Sequence, residues 1–550
     1  MIKLNILDRA INVVAPIHGM KRMAARKTVD ILSGGKYKNT GYSDGGASYT
    51  KKSMKGFTDI SASPAFDIDA NLRTLVNRSR SLYMNAPIAT SAIKTTRTNV
   101  VGSGLKLKAR IDYEFLGLKQ EEAEQWESKI EREFDLWADT KMCDSLRLND
   151  FYEMQGLIFL GQLMNGDGFC LLKYQKPTPY LPYGLRLHLL EADRVCTPYT
   201  MSTPLGNSFM PFWGKNPDNG NEIYSGVEID KDGGVVAYWV CNQYPYAMTS
   251  YTFTAPEWTR VEAFGKVTGR PNIIHVFDAE RAEQRRGVPM LAPVIEAIKQ
   301  LTRYTEAELM AAVISGMFTV FVKTSGPSTE LPLGEGMPSD ATPTSHDDTQ
   351  YELGPGAVVT LADGESVEVA DPKRPNTAFD AFVTSLCRYI GGALEVPYEL
   401  LFKSFTSSYS ASRAALLEAW KMFRMRREWL ANSFCQPVYE LFLTETVANG
   451  RIKAPGFFKD PIIQKAWCGA DWNGPAQGML DPTKEVDAAQ SRVENGFSTR
   501  EEETIGLTGG DFTKNAKQLK RENDLLAKAQ GSLSPAQKNI QKESEVIPNE

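Results

Sequence analysis

The chain has 550 residues, of which 42% are hydrophobic and 23% are charged, and its formal net charge is −5. This length can bury several cores and predicts roughly two to four domains. The sequence contains no run of 18 apolar residues, so no membrane-spanning helix is predicted. The seven cysteines are odd in number and never spaced Cys-x-x-Cys, which favours buried thiols in a reducing compartment over disulfides or a zinc site.

The N-terminal part of the chain is basic and lacks hydrophobic periodicity. Residues 1–58 hold eleven Lys and Arg against three Asp and Glu, and residues 33–56 are rich in Gly, Ser, Lys and Tyr. This composition predicts a flexible arm over 1–60. A basic arm can bind nucleic acid, and it can equally pack along a neighbouring protein subunit. The sequence leaves both interpretations open.

Residues 61–285 are predicted to form a mixed α+β region. A charged helix is predicted over 120–141, with one apolar face made of Ala123, Trp126, Ile130 and Phe134. Strand patterns follow, and one of them contains His188 among apolar residues, which indicates a structural, hydrogen-bonded histidine. His275, Asp278 and Glu280 alternate along another strand that leaves into a basic loop. Two ligands beside a loop do not make a metal site, so none is predicted.

A long helix is predicted over 286–316. Its apolar residues recur with helical spacing and form one stripe: Leu291, Val294, Ile295, Ile298 and Leu301. Pro289 and Pro293 stand near its start, where a missing N–H is tolerated. We expect this stripe to need cover from a second helix or from neighbouring copies of the chain, and a charge at Leu291 or Ile298 to block their assembly.

The next part of the chain predicts a β excursion between two helices. Residues 324–350 are polar and predict a mobile loop, while 358–370 hold two β-branched runs around an Asp-Gly turn, typical of a hairpin. A helix is then predicted over 377–401, a Ser-rich break over 402–410, and another helix from 411.

The sequence lacks the common catalytic motifs. It contains no GxxxxGK[ST] phosphate loop, no GxSxG elbow and no HExxH pair, and its four histidines are widely separated. Asp347, Asp348 and Asp371 could be recruited into a two-metal nuclease. The first two lie in the polar loop and the third precedes a proline, which makes this a poor candidate. We therefore predict no enzymatic activity, no metal and no cofactor.

Seven segments in this order resemble the phage portal proteins of the lambda-like family. They span roughly residues 75–525 and are RSRSLYMNAPIATSAIKTTRTNVVGSGLKLKAR (78–110), LLEADRV (189–195), GVEIDKDGGVVAYWV (226–240), AEQRRGVPMLAPVIEAIKQLTRYTEAELMAAV (282–313), LGPGAVVTLADGESVEVADPKRP (353–375), VPYELLFKSFTSSYSASRAALLEAW (396–420) and MLDPTKEVDAAQSRVENGFSTREEE (479–503). No single segment is diagnostic, but their shared order is specific. The sequence departs from the family pattern at the polar insert around 324–350.

The resemblance implies an α+β fold, namely a portal-type ring subunit with a wing, a helical stem, a β-containing clip and a helical crown. Carried over by position, the parts are an arm (1–60), a wing (61–285), a stem helix (286–316), a clip (317–375), a second stem helix (376–395), a tunnel loop (396–410), a long helix with a return to the wing (411–480), a crown (481–529) and a disordered tail (530–550).

The resemblance also implies a function. A ring, commonly of twelve subunits, would occupy one capsid vertex, carry double-stranded DNA during packaging and ejection, and dock terminase and the head–tail connector. The other implied partners are the major capsid and scaffold proteins, with assembly in the host cytoplasm, residence in the virion and no membrane. The tunnel-loop residues that would face DNA are Lys403, Ser404, Thr406, Ser407 and Ser408, whose hydroxyls offer weak hydrogen bonds to phosphate.

Other interpretations remain open from the sequence. The Ser-rich break can also be a helix start at which Ser410 or Ser412 caps the following helix, and this is compatible with a tunnel loop. The whole chain could instead be another structural component of the head or connector. A metal-dependent nuclease is a weaker alternative, because the catalytic residues are missing.

Overall fold

Helices and antiparallel sheets alternate along the chain in a computed structural model. It describes residues 15–18, 21, 46–48, 51–57, 61–205, 208–245, 255–316, 320–324, 365–369, 378–405, 408–479 and 481–531. The chain divides into two units, Met1–Ala62 and Ser63–Glu550. In the first unit Lys52–Met54 form a 3-10 turn. Most of the predicted arm, the polar insert and the predicted tail from 532 onwards lie outside the described residues.

The named helices and strands of the described residues belong to the second unit. The helices are α1 (Ala70–Asn85), α2 (Pro87–Val100), α3 (Gln120–Ala138), α4 (Phe151–Asn165), α5 (Ile295–Gly316), α6 (Phe379–Ala393), α7 (Tyr398–Phe402), α8 (Tyr409–Leu430), α9 (Gln436–Ala448), α10 (Pro461–Trp467), α11 (Pro482–Glu494), α12 (Arg500–Thr508) and α13 (Phe512–Gly531). The strands are β1 (Lys106–Ala109), β2 (Asp167–Tyr174), β3 (Leu185–Leu190), β4 (Ser202–Leu205), β5 (Ser208–Lys215), β6 (Glu222–Tyr224), β7 (Val227–Ile229), β8 (Val235–Cys241), β9 (Trp258–Glu262), β10 (Ile273–Phe277), β11 (Val320–Thr324), β12 (Glu365–Val369) and β13 (Ala470–Asn473).

The strands form four antiparallel sheets in the part of the chain that is described. Strands β4 to β9 pair in sequence order, and β2 lies between β10 and β3 in a second sheet. β1 pairs with β13, which brings residues more than 350 positions apart into one ribbon. β11 pairs with β12. The hairpin predicted over 358–370 has its second strand at β12, while its predicted first strand lies outside the described residues.

An aromatic cluster holds the helical part of the core together. Phe134 on α3 packs edge-on against Phe151 at 5.5 Å and against Phe442 at 5.2 Å between ring centroids. Trp137 packs on the same two rings. Each fully buried ring contributes about 1.5–3 kcal/mol of transfer free energy. The predicted apolar face of α3 is confirmed here, since Ala123, Ile130 and Phe134 are buried.

Local signals explain where several helices begin and end. α4 starts with a capping box between Asp150 and Glu153, and it ends at Gly166, whose φ of 84° is left-handed. α8 continues through a π-helical turn at Ala431–Cys435 into α9, so one helical rod runs from Tyr409 to Ala448. The sequence predicted this rod to begin at 411.

The predicted helix over 286–316 begins later than expected. A 3-10 turn at Ala292–Val294 precedes α5, which starts at Ile295. The reason is that residues before the turn make other bonds: the Met290 N–H donates to the Leu163 carbonyl at 2.9 Å, and the two prolines of this stretch cannot donate to a helix. The start at Arg286 was therefore wrong.

Two further expectations can be compared with the fold. All seven cysteines are unpaired and buried, as predicted. Of the helices that the structure describes, none is long and apolar enough to span a bilayer.

Candidate functional site

A buried charge cluster joins the β region to the start of the long helix. We call Asp167, His275, Arg286 and Gly287 the Asp167 cluster. The Arg286 Nε lies 2.7 Å from one carboxylate oxygen of Asp167, and the Gly287 N–H donates to the other at 2.7 Å. His275 Nε2 lies 2.9 Å from the same oxygen. Because Asp167 opens β2 and Gly287 leads into α5, these bonds fix the origin of the helix on the sheet.

Arg286 is saturated with partners at this junction. Its terminal nitrogens donate to the carbonyls of Val195 at 3.0 Å, Ser225 at 2.5 Å and Ala192 at 3.2 Å. The side chain is only 4% exposed. The sequence predicts Arg286 only as the first residue of a helix. Nothing in the local pattern shows that this arginine will meet a carboxylate more than 100 residues away.

The charges of the cluster follow from burial and pairing. Burial by itself would raise the pKa of Asp167, but the Arg286 charge and the bonds from His275 and Gly287 lower that pKa below its ordinary value. Burial lowers the pKa of His275 against the opposing pull of Asp167. The junction is therefore an aspartate–arginine ion pair with a neutral histidine, whose ring stacks on Phe169 at 4.1 Å.

Two glycines allow the backbones at this junction to touch. A Cβ built on Gly287 would lie 1.9 Å from the Gly166 carbonyl oxygen, and a Cβ on Gly166 would lie 2.4 Å from the Gly287 carbonyl carbon. Gly166 also has a φ of 84°, which favours glycine. Any side chain at either position would force the two segments apart.

Asp69 lies beside this cluster at the end of a π-helical turn before α1. The residue is 5% exposed, and one of its carboxylate oxygens has no hydrogen-bond partner. Burial raises the pKa of Asp69 to about 6, although a hydrogen bond with Ser225 and the charge of Arg286 act in the opposite direction. Asp69, Ser225 and Arg286 line a cavity of about 250 Å³.

The predicted stem-packing residues belong to the core of the chain itself. Leu291, Val294, Ile298 and Leu301 are 0–5% exposed, and Ile295 is half-buried. They pack against α1 and α6. The predicted apolar stripe is thus buried, and its cover includes α6, the second of the two predicted helices. The expected effect of a charge at Leu291 or Ile298 on assembly stays a prediction.

The far half of α5 and the neighbouring α6 do expose apolar side chains. We call these residues the stem patch: Leu309 (65% exposed), Met310 (58%), Val313 (44%), Phe382 (51%) and Tyr389 (70%). The two helices are held together near the patch by Tyr304, which stacks on Phe379 at 5.6 Å and meets Phe382 edge-on at 5.0 Å. Exposed apolar side chains on two packed helices make this part of the chain a candidate interaction surface.

The predicted tunnel loop is partly helical. α7 occupies Tyr398–Phe402, so the irregular segment begins at Lys403, which ends α7 in the left-handed conformation with a φ of 53°. Ser404 is half-buried, and its N–H donates to the Glu399 carbonyl at 3.2 Å. The predicted residues Thr406 and Ser407 lie outside the described part of the chain. Prediction of one continuous loop over 396–410 missed α7, a single helical turn that Pro397 initiates.

The segment is anchored on α2 and flanked by aromatic rings. The Ser91 hydroxyl donates to the Leu401 carbonyl at 2.6 Å, and Leu401 is buried. Phe402 and Phe405 on either side of Lys403 are 39% and 53% exposed. The segment is therefore attached to α2 at Leu401, while Phe402 and Phe405 expose part of their rings.

Ser408, rather than Ser410 or Ser412, occupies the N-cap position of α8. Its side chain makes no capping bond and lies 3.3 Å from the Ser410 hydroxyl. The Ser412 hydroxyl is buried without a hydrogen-bond partner. The predicted capping role of Ser410 or Ser412 was therefore wrong, because the helix begins two residues earlier than the pattern suggested.

Side-chain contacts tie α8 to α2 and tie β1 to the start of α13. Arg427 on α8 donates to the carbonyls of Val100 at 3.0 Å and Asn99 at 2.8 Å, at the end of α2. This is a favourable place for a cation at a helix C-terminus. Burial lowers the pKa of Arg427 to about 10. Lys108 on β1 pairs with Asp511 at 2.8 Å.

The described residues contain no group suited to metal chemistry. Across the ranges given above, no three His, Cys, Asp or Glu side chains converge on one point. His275 is engaged with Asp167, and His188 Nδ1 lies 2.5 Å from the Ser145 hydroxyl, so both are structural in these contacts. The remaining nuclease candidates, Asp347, Asp348 and Asp371, lie outside the described residues.

Comparison with known proteins gives consistent sequence matches. The sequence signature described as "Phage portal protein, lambda family" matches residues 50–427. The portal protein of Escherichia phage N15 is 24% identical over 90% of this chain and 92% of its own length. Portal protein B of Escherichia phage lambda is 25% identical over 86% of this chain and 88% of its own length. A probable portal protein of Halomonas phage phiHAP-1 is 24% identical over 76% and 74%, respectively.

Among solved structures, the chain resembles one from the neck of a native GTA particle. The alignment covers 80% of this chain and 93% of that chain, with 14% identity and a TM-score of 0.39. A chain of the native gene transfer agent virion matches with the same values. At this TM-score the shared arrangement is too loose to carry an argument about function, which depends on the sequence matches.

Proposed function

Because the chain belongs to the lambda family of phage portal proteins, we propose that it forms a closed ring at one capsid vertex and that double-stranded DNA passes through this ring. In this proposal it also docks terminase and the head–tail connector. The observation that carries it is the family match over 378 consecutive residues, 50–427. These residues include α5, α6, the stem patch and residues 396–410, the predicted tunnel loop, which we call the tunnel segment.

The stem patch supports a ring. The first half of α5 packs into the core of its own chain, while Leu309, Met310 and Val313 in its second half remain exposed. A neighbouring copy that covers them would bury apolar area worth roughly 25 cal/mol per Å². When such a head-to-tail contact closes on itself, it produces a ring. Twelve copies are the number that the resemblance implies.

The tunnel segment and the net charge support a passage for DNA. Lys403 is the only Lys or Arg between 403 and 412, so the segment offers few fixed cations to phosphate. Each neutralised phosphate adds a salt-dependent binding term, and a wall rich in cations would hold the duplex in place. A chain of net charge −5 is compatible with a wall along which a polyanion slides.

The remaining parts of the proposal concern partners and place. The clip, which contains β11 and β12, would meet the terminase large subunit and the connector, while the wing and crown would meet the major capsid and scaffold proteins. Assembly would occur in the host cytoplasm and the product would reside in the virion. We propose a structural role without catalysis.

Mass measurement and electron microscopy of the purified full-length chain test this function directly. We expect closed rings and no stable monomer at micromolar concentration. The same preparation should hydrolyse neither ATP nor DNA, with or without magnesium. A stable monomer, or nuclease activity that coelutes with the protein through size-exclusion chromatography, would contradict the proposal.

A further inference from the structure

The last described helix, α13, leaves the body of the chain as an exposed amphipathic helix. Every side chain from Lys514 to Lys528 is exposed. Leu519, Leu525 and Leu526 expose 57%, 57% and 59% of their surface, and Leu519 and Leu526 are seven residues apart on one face. Most helical stability in proteins comes from packing of an amphipathic face, so cover from another molecule would stabilise α13.

The charge of α13 is opposite to that of the two helices before it. α13 carries five Lys and Arg against two Asp and Glu, a net charge of +3. α11 and α12 together carry three Lys and Arg against six Asp and Glu, a net charge of −3. The acidic excess includes the exposed residues Asp487 and Glu494.

An open cavity lies beside these acidic helices. It has a volume of about 520 Å³ and is bordered by α8, α11 and α12. Its apolar lining includes Leu417, Met479 and Leu507, of which the first two are 45% and 40% exposed. Arginines and glutamates at its rim pair with each other, as Arg413 does with Glu485 at 3.5 Å. The cavity therefore offers apolar side chains, among paired arginines and glutamates, to the leucines of α13.

We propose that α13 of one subunit packs on the α11–α12 face of the next subunit, with its leucines over this cavity and its lysines toward the acidic helices. The occupant is a second copy of the chain, because each copy carries both complementary surfaces and leaves both exposed. The contact joins two different surfaces, so repeating it generates a ring. The inference deepens the proposed function and rests on it.

A cross-linking experiment on full-length rings tests the contact. Ala488→Cys on the cavity wall would be combined with Leu519→Cys or with Leu526→Cys, and the rings treated with a flexible bis-maleimide. The native cysteines are all buried, which keeps the background low. We expect a ladder of covalent multimers from the double variants and only monomers from each single variant on a denaturing gel.

Each other outcome has a defined meaning. Covalent dimers from Leu519→Cys alone would show that α13 packs against α13 of another subunit, and this would overturn the inference. Intact rings without cross-links in both double variants would overturn it as well, while the proposed ring would stand. Absence of rings from the unmodified chain would instead contradict the proposed function itself.

Charge reversal gives a second, independent test. Lys517→Glu with Lys520→Glu should raise the protein concentration needed for half-assembly about tenfold or more at low salt, as expected for lost charge complementarity. Adding Asp487→Lys and Glu494→Lys to the same chain should restore assembly. Lys231→Glu, on an exposed turn of the wing, is the matched control and should assemble normally.

The reversal also separates a protein contact from a DNA contact. If α13 bound phosphate, the reversed variant would form rings at the normal concentration and lose only its retention of DNA, and the inference would be overturned. Circular dichroism of each variant establishes that its helices are intact. Failure of the Asp487→Lys and Glu494→Lys pair to restore assembly in a folded chain would count equally against the contact.

Discussion

The two halves of α5 carry similar apolar residues, but the chain buries those of the first half and exposes those of the second. In residues 295–302 the apolar side chains Ile298 and Leu301 are buried within the chain. In residues 303–313 Leu309, Met310 and Val313 are largely exposed. One helix therefore takes part in folding at its start and exposes apolar side chains toward its end, where we propose the contact between subunits. Periodicity alone cannot separate these roles, because both halves have the same helical spacing.

The largest expected effect comes from placing the same charge in the two halves. Ile298→Asp would bury an unpaired carboxylate and should lower the free energy of unfolding by about 4 kcal/mol or more. Leu309→Asp with Val313→Asp should change it by less than about 1 kcal/mol and abolish rings. Chemical denaturation and sedimentation measure the two quantities. Normal rings from the exposed double variant would show that the stem patch is not an interface.

Loss of the ion pair in the Asp167 cluster, which precedes the first half of α5, should lower the free energy of unfolding nearly as much. Arg286→Ala would leave the buried Asp167 carboxylate without its counterion and should cost about 3–5 kcal/mol of unfolding free energy. Arg281→Ala is the matched control: its pair with Asp67 is half-exposed and should contribute about 0–1 kcal/mol. Denaturation curves of both variants make the comparison. Equal losses would show that the Asp167 cluster is not a special junction.

A smaller effect is expected at Asp69 and depends on pH. Its pKa of about 6 in the folded chain exceeds its ordinary value of 3.8, so the folded state binds the proton more tightly than the unfolded state. Its contribution to stability is therefore present below about pH 4 and is lost as the pH rises through 6. The difference in unfolding free energy between Asp69→Asn and the wild type should therefore rise, in favour of the variant, by on the order of 1–3 kcal/mol from pH 4 to pH 7. Parallel stability curves from denaturation across this range would contradict this.

The smallest stability effects are expected at the tunnel segment. Ser410→Ala with Ser412→Ala should change the unfolding free energy by less than about 0.5 kcal/mol, because neither hydroxyl caps α8. Deleting residues 404–407 keeps Ser408 at the N-cap and should leave rings intact. We expect DNA packaging, or retention of packaged DNA, to fail in this deletion. DNA-filled, stable heads from the deletion would show that the segment does not line the channel.

The sequence was informative where one element determines its own structure. The stripe from Leu291 to Leu301 and the face of α3 follow from helical spacing, and the structure buries both. The family resemblance rested on segments in a shared order, and the match over 50–427 confirms it.

The sequence was uninformative where distant residues decide the outcome. The meeting of Arg286 with Asp167 depends on how β2 and β10 pair, so the Arg-Arg-Gly segment gave no sign of which arginine would be buried. The helix start at Tyr409 was misplaced because several serines there are equally suited to an N-cap. The sequence alone does not show that Leu309 is exposed and Ile298 is buried, because the difference depends on where α1 and α6 pack against α5.

The contact between Gly166 and Gly287 has a mechanical consequence. α5 has 22 residues and is about 33 Å long at roughly 1.5 Å per residue. It acts as a lever whose pivot is the place where the two glycine backbones meet. A tilt of about 5° at that pivot would move the far end of a rod of this length by about 3 Å, close to one atomic diameter. A methyl group added at Gly287 would therefore cause a larger displacement at the far end of α5 than at its base. In the proposed ring, the stem patch of each copy would then no longer be aligned with its neighbour.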